Sequence, residues 1–263
     1  MQRKVESKPR VHSAALHVAT YNIHNGFSQL NRRMMVHELR EKLRALGPDI
    51  VFLQEVQGLH RGHARTHGDW PSQGQSEFLA DSVWSHSAYG RNAEYDDGHH
   101  GNAILSRFPI TNVENEDVSS HRFERRGLLH CEIEMPGWDQ TLHCVCVHLA
   151  LSERGRRQQL NALASRVTRL VPAGAPLIVA GDFNDWRDTA SPVLWQSLGL
   201  SEVFHKAHGR PARSFPSGMP MLALDRIYVR GFKVGAAHVM HDKAWSRISD
   251  HAALSATLKP ESR

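Results

Sequence analysis

Leu177-Ile178-Val179-Ala180-Gly181-Asp182-Phe183-Asn184 is a short apolar run closed by a carboxylate and a carboxamide. An unbroken run of this kind reads as a strand covered on both faces, and α/β folds carry their chemistry on the loops that leave such strands. Gly181 relieves crowding at the turn and lets it approach a ligand. Upstream, Glu153 to Leu170 place Leu160, Leu163, Val167 and Leu170 at helical spacing, and Pro172-Ala173-Gly174 ends that helix. The pair is a helix and a strand that together deliver Asp182 to a rim.

The same plan recurs towards the N-terminus. Leu16 to Ile23 alternates as a strand, Asn31 to Leu46 is an amphipathic helix, and Gly47-Pro48-Asp49 stops it before the apolar run Ile50-Val51-Phe52-Leu53, with Gln54 and Glu55 at its end. Further strands are expected at Ala88 to Tyr95, Asn102 to Ser106, Leu128 to Glu134, Thr141 to His148, Ala223 to Val229, Ala236 to His241 and Ala253 to Leu258. Helices are expected at Gln75 to Trp84 and Val193 to Leu198, and Gly58 to Gly74 reads as a long loop suited to line a cleft. Two half-sequences of similar plan predict a four-layer α/β sandwich: two mixed β-sheets packed face to face with helices outside.

Length and composition fit one domain of this kind. The 263 residues include 40% hydrophobic and 22% charged side chains, those of a globular chain, and no linker, repeat or low-complexity segment divides residues 14–263. Residues 1–13 are basic and polar, read as a disordered tail and lack the features of a secretory signal. No stretch approaches transmembrane length, so a cytoplasmic protein is expected. The formal charge of +5 favours anionic partners weakly, because no Lys/Arg block concentrates it. Cys131, Cys144 and Cys146 read as reduced core thiols, since same-face residues on one strand lie roughly 7 Å apart, too far to ligate one zinc ion side by side.

The polar groups closing the apolar runs are the types that phosphoester hydrolysis needs: a cation site, a base for water and a donor to the phosphate. Glu55 is the natural hard-oxygen ligand for Mg²⁺ or Mn²⁺. Asn22 offers a carbonyl oxygen to a metal or an amide to phosphate, and Asp182 and Asn184 leave their strand together. Asp250-His251 lies opposite Leu224-Asp225, so His251 is assigned to activate water with Asp225 fixing its tautomer. His148 ends its strand as an acid or a transition-state donor. Each site alone has a bland reading as a strand-end cap; seven in one order do not.

This ordered set resembles the endonuclease/exonuclease/phosphatase superfamily, of DNase I-like fold, over roughly Val18 to Leu258. Thr20-Tyr21-Asn22, Asp49 to Glu55, Gly101 to Pro109, Gly181 to Asn184 and Ser249 to His251 carry the resemblance. It implies a four-layer sandwich, dependence on Mg²⁺ or Mn²⁺ and phosphoester hydrolysis. Carried over by position, Glu55 is the principal metal ligand with Asn22 and Asp250 near it, Asp182 and Asn184 surround the attacked phosphate, and His148 sits on it. Arg126 resembles a phosphate-facing arginine with Asn102 beside it.

The stretch Asp185-Trp186-Arg187-Asp188 departs from abasic-site endonucleases and argues against that repair role, whereas Tyr21-Asn22-Ile23-His24-Asn25-Gly26 is closer to sphingomyelinase-like and related bacterial branches, many of unknown substrate. A phosphodiesterase is the expected activity. A nuclease on DNA or RNA, an enzyme acting on a lipid head group, a phosphomonoesterase and a non-catalytic phosphate- or partner-binding protein are the alternatives. Oligomeric state is not legible in the sequence.

Overall fold

The computed structural model describes residues 15–28, 33–60, 70–71, 73–81, 83–121 and 124–261. The expected tail at residues 1–13 and most of the expected loop at 58–74 lie outside them. The strands are β1 (Leu16–Asn22), β2 (Ile50–His60), β3 (His86–Tyr95), β4 (Gly98–Ser106), β5 (Ile110–Asp117), β6 (Gly127–Ile133), β7 (Leu142–His148), β8 (Leu177–Asp182), β9 (Ser201–Glu202), β10 (Asp225–Arg230), β11 (Phe232–Met240) and β12 (Ala253–Pro260). The helices are α1 (Val36–Leu46), α2 (Gln75–Ala80), α3 (Glu153–Leu170), α4 (Ala190–Leu198) and α5 (Val203–His208).

These strands build two six-stranded sheets, in the orders β11-β12-β1-β2-β4-β3 and β5-β6-β7-β8-β10-β9. β1 with β2 and β7 with β8 are parallel pairs, and antiparallel pairs flank them, so both sheets are mixed. Alternate residues explain the layers. Val18, Phe52, Ile104, Leu129, Cys131, Cys144, Cys146, Ile178, Ile227 and Leu254 fill the space between the sheets. On the outer face of the first sheet, Val51 and Leu53 pack with Leu39 and Leu43 of α1; on that of the second, Val145 and Val179 pack with Leu163 and Val167 of α3. The four-layer α/β sandwich is the fold.

The division of strands is not the expected one of first half against second. The last two strands return to the first sheet, so the chain's ends embrace a middle section that forms the second sheet. β2 also runs on past Glu55 to His60 and β4 begins at Gly98, so Glu55 and Asn102 lie within strands and not at their ends. β5 and α5 were not anticipated: β5 is polar and largely exposed, without alternation, and α5 is too short for a period to show. The three cysteines are buried free thiols, and burial pushes Cys131 and Cys146 up to about 12. Among the described residues no helix is long and apolar enough to cross a membrane.

Candidate active site

Strand register sets one wall of the site. His148 pairs with Asp182 across β7 and β8, and Asp182 pairs with Asp225 across β8 and β10, so three polar residues form one row at the edge of the second sheet. Gly181 precedes Asp182 with φ +148, and a Cβ there would collide with the Val147 carbonyl, so the tight approach of β8 to β7 needs a glycine.

The first sheet supplies the facing wall. Asn22 ends β1, and the β2–β4 register slips between Leu53 and Val56, where Glu55 takes φ +56. Such a bulge re-aims a side chain out of the pleat, here towards Asn22. The Asn22 amide donates to Glu55 Oε1 (3.3 Å) and to Asp182 Oδ2 (3.1 Å), tying the two sheets together. Asn25 donates to Glu55 Oε2 (3.2 Å), and His24 Nδ1 lies 3.4 Å from Asp250 Oδ1 and 4.0 Å from Glu55 Oε2. His24, Asn25 and Asn184 also have positive φ, a clustering of backbone strain typical of functional sites.

The β11–β12 connection closes the site. Ser249 Oγ donates to the Asn22 carbonyl (2.7 Å), and the His251 N–H donates to Ser249 Oγ (3.2 Å). This places His251 Nδ1 2.8 Å from Asp225 Oδ2 and Nε2 3.8 Å from Asp182 Oδ2, while the ring of Phe215 packs against the imidazole at 5.1 Å. Ser214 Oγ accepts the Asp225 N–H (3.2 Å), and Asp225 Oδ1 is buried with no hydrogen-bond partner among the described residues. Asn184 donates its backbone N–H to Asp182 Oδ1 (2.9 Å) and its amide to the Leu149 carbonyl (2.9 Å).

Electrostatics separate the two histidines. Burial opposes charge on His251, but Asp225 and Asp182 outweigh it and hold the imidazole up at about 10. Burial and the Arg126 guanidinium push His148 down to about 3, against the weaker pull of Asp182, whose Oδ2 lies 3.5 Å from its Nε2. Burial raises Glu55, opposed by the Asn22 amide and by His24 and His251.

Every expected site residue except Asn102 borders this rim. Asn102 is buried between the sheets, donating to the Gly127 carbonyl (3.0 Å), one residue from Arg126. Arg126 donates to the Leu149 carbonyl (3.3 Å) and pairs with Glu124 (3.3 Å). His24 and Asn25 were not assigned roles from the sequence. Their place in the polar run after Asn22 was the available signal, and the strained turn that aims them at Glu55 was not.

A hard divalent cation fits this donor set. Glu55 and Asp250 are oxygen donors on either side of His24, with neutral amides and a single imidazole as their immediate company. Asn22, expected near the ion, turns its nitrogen to both carboxylates while its oxygen accepts the His24 N–H (3.1 Å). Ligand atoms of Asp182, Asp225 and His251 also lie within 4.8 Å of one another. There His251 Nδ1 is hydrogen-bonded to Asp225 at 2.8 Å and Nε2 faces Asp182 at 3.8 Å.

The profile of the Endonuclease/Exonuclease/phosphatase family matches residues 19–251, and the chain belongs to that family. It is 50% identical over 241 residues to "Uncharacterized protein YbhP" of Escherichia coli K12, covering 92% of this chain and 95% of that one. Among solved structures it resembles an endonuclease/exonuclease/phosphatase from Bacteroides vulgatus, with TM-score 0.73, 16% identity and coverage of 94% and 100%. It also resembles truncated TDP2 of Caenorhabditis elegans, with TM-score 0.66, 19% identity and coverage of 93% and 97%. At these identities the solved structures speak for the fold.

Proposed function

We propose that the protein is a divalent-metal-dependent phosphodiesterase. The observation that carries this reading is the rim at which Glu55 of the first sheet and Asp250 of the β11–β12 connection face the His148–Asp182–Asp225 row of the second sheet, with His251 between. Glu55 and Asp250 would hold Mg²⁺ or Mn²⁺, which when bound neutralises phosphate oxygens.

The remaining residues divide the chemistry. Both ring nitrogens of His251 face carboxylates, the arrangement of a doubly protonated imidazole. That replaces the expected role of His251 as base: it is the cationic donor to the phosphoryl oxygens, oriented by Asp225. Asp182, held by the Asn184 N–H and the Asn22 amide, has a free lone pair for the proton of attacking water. His148, held neutral, donates a hydrogen bond to the phosphate and does not act as an acid near neutral pH. Arg126 and Asn184 complete the phosphate contacts.

The test is hydrolysis of bis-p-nitrophenyl phosphate with Mg²⁺ or Mn²⁺ by the wild type, Glu55→Gln and His251→Ala. Turnover that vanishes with EDTA, returns with metal and is lost in both variants supports the reading. Metal-independent turnover, or near wild-type rates in either variant, sinks it. The same variants tested on p-nitrophenyl phosphate, plasmid DNA, RNA and phospholipid vesicles separate the monoesterase, nuclease and lipid alternatives.

A further inference from the structure

The segment 209–224 joins α5 to β10 and has two faces. Its inner face braces the rim: Ser214 Oγ accepts the Asp225 N–H (3.2 Å), the Phe215 ring packs against His251, and Ser217 donates its N–H to the Asp250 carbonyl (2.7 Å) and its hydroxyl to that of Ser249 (2.6 Å). Its outer face, with α5 and the edge strand β11, walls a cleft of about 760 Å³, a volume that suits a small molecule.

Backbone hydrogen bonds hold the walls apart. Gly209 leaves α5 in the left-handed conformation (φ +73), the Ser214 N–H donates to the Leu222 carbonyl (2.9 Å), and the Ser214 carbonyl accepts the Ala252 N–H (2.7 Å). His208 Nε2 donates to the Ala237 carbonyl (2.9 Å) and ties α5 to β11. Phe204, Ala212 and Ala237 in the lining belong to the core between the sheets, so the floor is apolar and closely packed.

Charge around that floor has one sign. Arg210, Arg213, His208, His238 and His241 line the cleft, and among the described residues no acidic side chain does. The guanidinium groups of Arg210 and Arg213 make no ion pair or hydrogen bond with a described residue. Arg166 and Arg226, by contrast, are spent on carboxylates and backbone carbonyls. Two unspent guanidinium forks beside an apolar floor match the oxygens of a carboxylate or a phosphate carried on an apolar body.

We propose that this cleft binds a small amphiphilic anion, with its acidic group on Arg210 and Arg213 and its apolar or aromatic body over Phe204 and Val239. The cleft lies behind the segment that braces His251 and Asp225, so it is a second site, separate from the rim and independent of the phosphodiesterase reading. A ligand seated there touches the same segment that positions Asp225 and His251.

Fluorescence titration with anilinonaphthalene sulfonate, whose sulfonate stands in for the acidic group, tests the site against its uncharged counterpart phenylnaphthylamine. Wild type should bind the anion about tenfold or more tighter than the uncharged probe, the worth of one or two charge-assisted hydrogen bonds. An Arg210→Gln/Arg213→Gln variant with unchanged Tm should lose that preference. His251→Ala should keep it, and so should Met219→Ser/Met221→Ser, which removes the exposed apolar side chains on either side of Pro220. Equal affinities in wild type, an undiminished preference in the arginine variant, or its loss in either of the other two overturns the site. Displacement of the probe by octanoate against octyl phosphate then distinguishes carboxylate from phosphate, and displacement by octanol at the same concentrations would overturn the need for an anion. Absence of diester turnover would sink the phosphodiesterase reading and leave these titrations unaffected.

Discussion

The second sheet carries two clusters of histidine, arginine and carboxylate, and only one has the marks of a site. At the rim stand His148, Asp182, Asp225 and His251. On the outer face, beneath α3, His130 Nε2 meets His143 Nδ1 at 3.1 Å, and Arg166 binds Glu116 (2.6 Å) and Glu114 (2.7 Å) of β5. The outer cluster balances its charges: its cation has two anions and only its Nε lacks a partner, its imidazoles have each other, and burial with the Arg166 charge drives His130 down to about 4. The rim cluster does not close. It crowds carboxylates on one imidazole, leaves Asp225 Oδ1 and His24 Nε2 without partners among the described residues, and is bordered by backbone with positive φ at His24, Glu55 and Asn184. Buried polarity alone is therefore a weak sign of function; unsatisfied atoms on strained backbone are the stronger one.

That contrast is broken or sharpened by asking which quantity each substitution moves. Asp182→Asn should show the largest effect, a loss of diester turnover of about a thousandfold, as expected when a positioned base is removed, with Tm nearly unchanged. A large loss of Tm would make the rim structural after all. Next is a pH effect at the outer cluster. His130 sits near 4 when folded and takes the ordinary 6.5 when unfolded, so the unfolded chain binds the extra proton between those values. Its neutral form stabilises the fold fully above pH 6.5, and about 3 kcal/mol is lost as pH falls towards 4. Urea midpoints at pH 7 and 4.5 should show a shallower acid loss in His130→Gln than in wild type; identical slopes would contradict the assignment.

A smaller change is expected from Arg166→Met, about 2 kcal/mol of stability through lost charge-assisted hydrogen bonds, with turnover unchanged. Reduced turnover at full stability would join the two clusters functionally. The smallest is Glu114→Gln, a few tenths of a kcal/mol in urea unfolding, because that carboxylate is half exposed and Arg166 keeps Glu116. A loss above 1 kcal/mol would mean the pair is less screened than its exposure indicates.

Much of this was readable in the chain before any coordinates. The run ending at Asp182 declared its strand by apolar continuity, α3 by its period, and the layers followed from the two patterns together. What escaped has physical reasons. Glu55 is placed by a register slip that adds one residue to β2, and a slip has no side-chain signature. β5 is an edge strand whose sequence is mostly polar, with only Ile110 and Val113 apolar, and its partner is chosen by the sheet. Which sheet β11 and β12 would join depended on pairing across the whole chain, and local pattern does not encode that. The two carboxylates around His251 come from different strands, β8 and β10, so the sequence offered Asp225 as its partner and could not show that Asp182 also faces the ring.

The bond from Ser249 to the Asn22 carbonyl joins residues 227 positions apart, and β12 lies beyond it. A growing chain thus lacks His251, Asp250 and the strand that braces β1 until residue 260 has been added. A chain interrupted before Ser249 therefore presents the rim without the closure that Asp250 and His251 provide.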